Sequence, residues 1–490
     1  MQAWIPSLST VPLASPNPAV IRPIMFGLML AIFLGALDQT IVAVSLSAIS
    51  AQLGDFRHLG WVVSGYMMAM TVATPLYGKL GDLYGRRRLL LASIGLFTLA
   101  SCLCAVARDM QQLILARVLQ GLGAGGLITL SQAIIGDLMA PRERGRYQGY
   151  ISGMFALASV TGPLLGGLLT ATLSWRWVFW INLPLGLLAM AISNRALRGL
   201  PQPRHPARID YLGAVLLVAG LTALLLAISR AGEGPAAWGA GELPGLFGLA
   251  AALLGAFVWQ ERRAAEPLLP LHLFGQRSLV LSGVVAFVAT FQAISLTVLI
   301  PLRYQSLTGH GAEQAAIHLL PLVMGVPLGA YCSGRLVGLL GRYKPQMLFG
   351  TVLLPLAMVA LALVAPQQVW LSGLSMLACG VAVGCQYPTS MMATQMAVES
   401  RHMGVATSTT SLLRALGGTL GMALMSSLLL VLLQQAGASA QSVDGDPTAG
   451  LAPVQIATAF RHLLLIGAAI ALPGVLAALF LPDRRLPANP

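Results

Sequence analysis

Asp38 lies near the middle of the first long apolar stretch of the chain. Of the sixteen acidic residues it alone is set well inside such a stretch; the others fall in loops or within about a turn of an end. A charged side chain at the centre of a bilayer costs about 2.5–3.5 kcal/mol on insertion scales, so it normally lines a cavity or has a partner. A desolvated carboxyl that takes up and releases a proton is a group that a proton gradient can titrate. The alternative is a packing hydrogen bond between helices. Arg117 lies inside the fourth apolar stretch, and a buried guanidinium needs acceptors. It could hold Asp38 ionised or respond when Asp38 protonates; a structural pair with Gln120 or with backbone carbonyls is the alternative. Asp82 and Arg86 stand four apart and pair if the helix runs through them. Asp82 can also face the N-terminal dipole of a helix in the other half of the chain, a contact whose breaking would let the halves rock. With Gly78, Gly85 and Arg87 they form a candidate gating latch, weighed against a solvated loop. Gly149, Gly162, Pro163, Gly166 and Gly167 lie in the fifth stretch. Proline bends a helix and glycines let backbones approach, so this helix could seal one conformation against ion leak.

The elements that carry these residues are membrane helices. The 490 residues are 57% hydrophobic and 9% charged, with a mean hydropathy of +0.79. Soluble domains carry about 25% charge, so lipid is the fitting solvent. A span needs about 20 apolar residues; fourteen such stretches run from 24–47 to 459–481. Of the 29 Lys and Arg, twenty-one fall on one alternate set of loops and termini, six on the other, and Arg117 and Arg414 within spans. That bias places both termini in the cytoplasm and argues against nucleic acid, for which the net charge of +13 would otherwise be a cue. Cys102, Cys104, Cys332, Cys379 and Cys385 lie in apolar stretches without metal spacing, so packing roles are expected and no metal or cofactor. Gly121-Leu-Gly123-Ala-Gly125-Gly126 spells a dinucleotide fingerprint, but inside an apolar helix it reads as close packing. The N-terminus lacks a cleavable signal pattern, so the first span is expected to direct insertion.

The loop Gly78-Lys-Leu-Gly-Asp-Leu-Tyr-Gly-Arg-Arg-Arg88 recurs 256 residues later as Gly334-Arg-Leu-Val-Gly-Leu-Leu-Gly-Arg-Tyr-Lys344. A duplicated half of the same orientation follows. The second copy has Gly338 in place of Asp82, so a latch built on the acid should be one-sided. The expected architecture is all-α and polytopic, with two six-helix bundles at 24–200 and 271–483. Two extra helices lie in 201–270, and short cytoplasmic tails at 1–23 and 484–490.

Several motifs carry a family resemblance. They are Leu37-Asp-Gln-Thr-Ile-Val42, Trp61 to Tyr66, the Gly78 loop, Arg117-Val-Leu-Gln-Gly-Leu-Gly123, Gly162-Pro-Leu-Leu-Gly-Gly167 and Trp175 to Pro184. Together they resemble the fourteen-span drug:proton antiporter branch of the major facilitator superfamily across nearly the whole chain. Ala43 and Ala158 depart from it, standing where the family often has Asn and Gly. The resemblance implies proton coupling through Asp38 and Arg117, and export of lipophilic small molecules from a bacterial inner membrane by a monomer. Candidate pocket residues are Gln39, Tyr66, Met67, Gln120, Met154, Phe155, Phe291, Gln292, Gln386 and Tyr387. A specific exporter or importer of one metabolite or antibiotic is the alternative; a membrane enzyme or receptor lacks a catalytic constellation. With Asp38 and Arg117 as the cavity's charges, and Glu313 only at the outer end of span 10, neutral or monocationic compounds are expected, with some anions.

Overall fold

The structure is a computed structural model. It describes residues 18–53, 59–139, 141–198, 210–231, 242–264, 267–269, 271–308, 312–365, 367–399, 402–437, 451–483 and 485. The first half comprises α1 (Pro18–Leu53), α2 (Leu59–Tyr84), α3 (Arg86–Val106), α4 (Met110–Leu138), α5 (Pro141–Thr172), α6 (Trp177–Trp180) and α7 (Asn182–Ala196). Two intervening helices, α8 (Tyr211–Ala231) and α9 (Glu242–Glu261), follow. The second half comprises α10 (Arg277–Thr308), α11 (Ala312–Leu340), α12 (Lys344–Leu363), α13 (Val369–Gln395), α14 (Met403–Gln435) and α15 (Pro453–Phe480).

Thirteen of the described segments are long and apolar enough to cross a membrane, α6 and α7 counting together as one. The fourteenth helix, α2, carries Thr71, Thr74, Lys79 and Asp82. It packs against α4 and α14, with Thr71 and Thr74 facing the space between the halves and Asp82 bonded to the start of α14. Outward-facing Leu164, Leu339, Trp370 and Phe480 are exposed, as helices solvated by hydrocarbon should be.

The sequence predicts an unbroken sixth span over 177–197. The structure carries it through as one span, Trp177–Ala196, with Ile181 in helical conformation (φ −60°, ψ −26°) and its amide bonding back to the Trp177 carbonyl. Asn182, the first residue of α7, turns its side chain inward and is fully buried.

Within the first half α1 packs on α5 and α7, α2 on α4, and α3 on α4 and α7. The second half repeats the scheme: α10 packs on α14 and α15, α11 on α13, and α12 on α13 and α15. The duplicated loop is duplicated in shape as well. Gly85 (φ 92°) and Gly341 (φ 63°) both take the positive-φ region, which a side chain would strain. The halves meet along α5–α11 and α2–α14. The α8–α9 pair lies beside the second seam, where α8 touches both α2 and α14.

Candidate functional site

A cavity of about 500 Å³ lies between the halves. Residues of α1, α2, α4 and α5 line it on one side, and residues of α10, α11, α13 and α14 on the other. These are the same four helices of each repeat, so the cavity follows the internal symmetry. Its wall is largely apolar, interrupted by hydroxyls and amides such as Thr40, Thr71, Thr129, Gln132, Ser152 and Thr297.

Of the ten expected pocket residues, Gln39, Met67, Phe155 and Tyr387 line it. The other six do not, because each is spent on helix packing. Tyr66 stacks its ring 4.0 Å from the Arg117 guanidinium. Gln120 binds Asp38. Met154 packs against the core of the first half. Phe291 belongs to the cluster with Met425 and Phe460. Gln292 and Gln386 are fully buried and donate to the carbonyls of Gly467 (2.7 Å) and Gly350 (3.1 Å).

Asp38 sits behind the wall, one residue from the cavity-lining Gln39. It is fully buried, and Arg117 is 1% exposed. The Arg117 Nη1 donates to Asp38 Oδ2 at 2.5 Å and to Gln120 Oε1 at 2.7 Å, while its Nε donates to the Val62 carbonyl at 3.0 Å. Asp38 Oδ1 accepts from Gln120 Nε2 at 2.8 Å and from Asn182 Nδ2 at 3.0 Å. Asn182 also donates to Ser101 Oγ at 2.9 Å. The network thus joins α1, α3, α4 and α7. The sequence puts Asn182 in a motif without a role; only the packing of α7 against α1, a tertiary feature, brings it to Asp38.

The expectation that Asp38 and Arg117 are the cavity's charges is corrected here. Neither lines it. Among the described residues the cavity wall holds no acid, and its one charged side chain is Arg414 of α14.

At one end of the seam Asp82 reaches across to the start of α14. Its Oδ1 accepts from the Gly404 amide at 3.2 Å and its Oδ2 from the Val405 amide at 3.1 Å. First-turn amides have no partner within their own helix, and the dipole there favours an anion. Arg86 Nη2 holds the same carboxylate at 2.8 Å, while its Nη1 binds the Ala133 carbonyl and pairs with Asp137. The approach is close: a Cβ on Gly404 would strike the Asp82 carboxylate and the Gly78 carbonyl, and one on Gly78 would strike Ser408. Arg87 takes no part across the seam. Its Nη2 donates to Asn194 Oδ1 at 2.6 Å, tying α3 to α7 within one half.

In α5, Gly149 meets Tyr331 of the other half, and Gly162 and Gly166 lie against Thr40 and Ile41 of α1. Gly167 has open space around it, and Pro163 is exposed on a helix that continues through it. The expected sealing helix therefore rests on Gly149, Gly162 and Gly166. Glu313 lies in the first turn of α11; its side chain lies outside the described residues.

Comparison with known proteins agrees with this architecture. The family model "Major Facilitator Superfamily" matches residues 28–422. An uncharacterised MFS-type transporter of Mycobacterium tuberculosis is 36% identical over 441 residues, 89% of this chain; the match spans only 63% of that relative's own length. Multidrug resistance protein 3 of Bacillus subtilis is 35% identical over 400 residues, 81% of this chain and 77% of that one. Among solved structures, a proton:xylose symporter superposes with a TM-score of 0.65 at 15% identity, over 95% of this chain and 97% of that one.

Proposed function

The chain belongs to the major facilitator superfamily, and we propose that it is a proton-coupled exporter of lipophilic small molecules, working by alternating access in a bacterial inner membrane. The observation that carries the proposal is the cavity between the repeats, with the buried Asp38–Arg117 pair one residue behind its wall. An apolar wall studded with hydroxyls and amides suits compounds of varied shape. The multidrug resistance protein among its relatives supports export.

The two functions use different parts of the molecule. The cavity takes the substrate. Asp38 takes the proton, and must be freed from Arg117, Gln120 and Asn182 to do so. Because the three donors come from α4 and α7, a shift of α1 against those helices would release the carboxylate. Gln39 and Thr40 would move with it, since they share the helix with Asp38, and the cavity wall would change at the same moment. In the orientation set by the basic loops, the Asp82 latch closes the cytoplasmic side. The reading gives the chain no covalent chemistry of its own.

Efflux of lipophilic dyes from a pump-deleted host, with and without an imposed pH gradient, tests it. Wild type is expected to extrude dye faster when the gradient is present. Extrusion that ignores the gradient would overturn proton coupling; no extrusion of any dye or drug tried would overturn export.

A further inference from the structure

Arg414 is unaccounted for by the coupling network and by the latch. It lies in the interior of α14, on the cavity wall. A guanidinium inside a membrane protein is expensive and is normally paired. Arg117 has Asp38. Arg303 spends both terminal nitrogens on the carbonyls of Leu361 and Val364, near the C-terminal end of α12. Arg414 has less. Its Nη2 donates to the Tyr387 carbonyl at 2.5 Å and to Ser390 Oγ at 3.2 Å, and its guanidinium carbon lies 4.9 Å from the Tyr387 ring. These are neutral partners. Its Nε is buried with no acceptor at all. No acid among the described residues lines the cavity to balance it, and Asp38 is shut behind the wall.

A partly exposed guanidinium, held in position from one edge and short of acceptors, is half of an ion pair. Among the described residues the cavity offers no other half. We propose that the substrate supplies it: Arg414 is the charge-selecting residue of the cavity, and the preferred substrates are amphipathic organic anions, such as lipophilic carboxylates or sulfonates. The apolar wall takes the hydrophobic body and the guanidinium takes the acidic group. A cation would meet a like charge in a low-dielectric space. The Tyr387 ring and carbonyl orient the guanidinium without neutralising it. This reverses the cation tolerance expected from the sequence, and it rests on the transport reading above.

Two xanthene dyes of matched size, one monoanionic and one monocationic, test the proposal in proteoliposomes with wild type, Arg414→Gln and Arg414→Lys. The quantity read is the ratio of kcat/KM for anion over cation, which survives any general loss of activity in a variant. Wild type is expected to favour the anion by on the order of tenfold or more. Arg414→Gln should bring the ratio to near one, and Arg414→Lys should keep it above one. Equal ratios in wild type and Arg414→Gln, or a wild type that prefers the cation, would overturn the proposal. Binding of the same dyes to detergent-purified protein separates the two readings. If neither dye is transported but the anion binds wild type more tightly than Arg414→Gln, the export reading falls and the Arg414 assignment holds. If neither dye is transported and the anion binds both proteins alike, the assignment falls too.

Discussion

Asp38 accepts three hydrogen bonds from side chains on α4 and α7, and its nearest charge is the equally buried Arg117. A buried pair of this kind adds little net stability, but removing one member leaves the other uncompensated, at about 3–5 kcal/mol. From the sequence, Asp38→Asn should abolish coupling and leave the fold intact. The structure changes the second half of that expectation. An Asn here keeps the shape but strands the Arg117 charge, so the purified variant should melt at a lower temperature as well as lose gradient-driven efflux. The double variant Asp38→Asn/Arg117→Gln removes both charges, and should recover most of the melting temperature without recovering efflux. Efflux by either variant that still responds to a pH gradient would remove Asp38 from the coupling step. A double variant that melts below the single one would show that the Arg117 contacts to Val62 and Gln120 matter more than the charge balance.

At the scale of helices, the seam between α2 and α14 depends on two glycines and one carboxylate. Ala at position 404 would place its Cβ on the Asp82 carboxylate and the Gly78 carbonyl, so Gly404→Ala should hold the halves apart at this end. Asp82→Ala should lower turnover while leaving substrate affinity little changed, because the latch lies away from the cavity and acts on exchange between states. Transport kinetics set beside equilibrium dye binding will check both; lost affinity at normal turnover in Asp82→Ala would contradict the latch. The acid was legible in the sequence because the loop repeats 256 residues later with glycine in its place. Its partner was legible only in kind, as a helix N-terminus of the other half; nothing about Gly404 and Val405 sets that helix start apart from the others in the sequence. The same limit explains the pocket. Aromatic, Met and Gln residues suit a pocket by type, yet lipid-facing, packed and cavity-facing surfaces of such helices are similarly apolar, so type says little about face. Gln39 and Gln292 read alike; the first lines the cavity, and the second is spent on the Gly467 carbonyl.

At the scale of the whole molecule, the number of intervening helices decides whether the two repeats can work together. The cavity draws on the same four helices of each half, and the positive-φ glycines Gly85 and Gly341 mark equivalent turns. For both turns to face the same compartment, the chain must cross the membrane an even number of times between the halves. Both α8 and α9 are long and apolar enough to cross, and the basic residues flanking the pair, Arg204 and Arg208 before and Arg262 and Arg263 after, place its ends on one side by the positive-inside rule. A reporter inserted between α8 and α9, within 232–241, should therefore read as periplasmic. Reporters placed after Val106 and after Arg485 separate the alternatives, and are expected to read as periplasmic and cytoplasmic respectively. A cytoplasmic signal between α8 and α9, with the other two as expected, would mean that the pair lies along the surface without crossing. The repeats would keep their parallel orientation, but the pair's packing against α2 and α14 would then brace the latch from the cytoplasmic face and not from within the bilayer. A periplasmic signal after Arg485 would be more damaging. It would set the two halves antiparallel, and the Asp82 contact with the start of α14 could not form in the membrane.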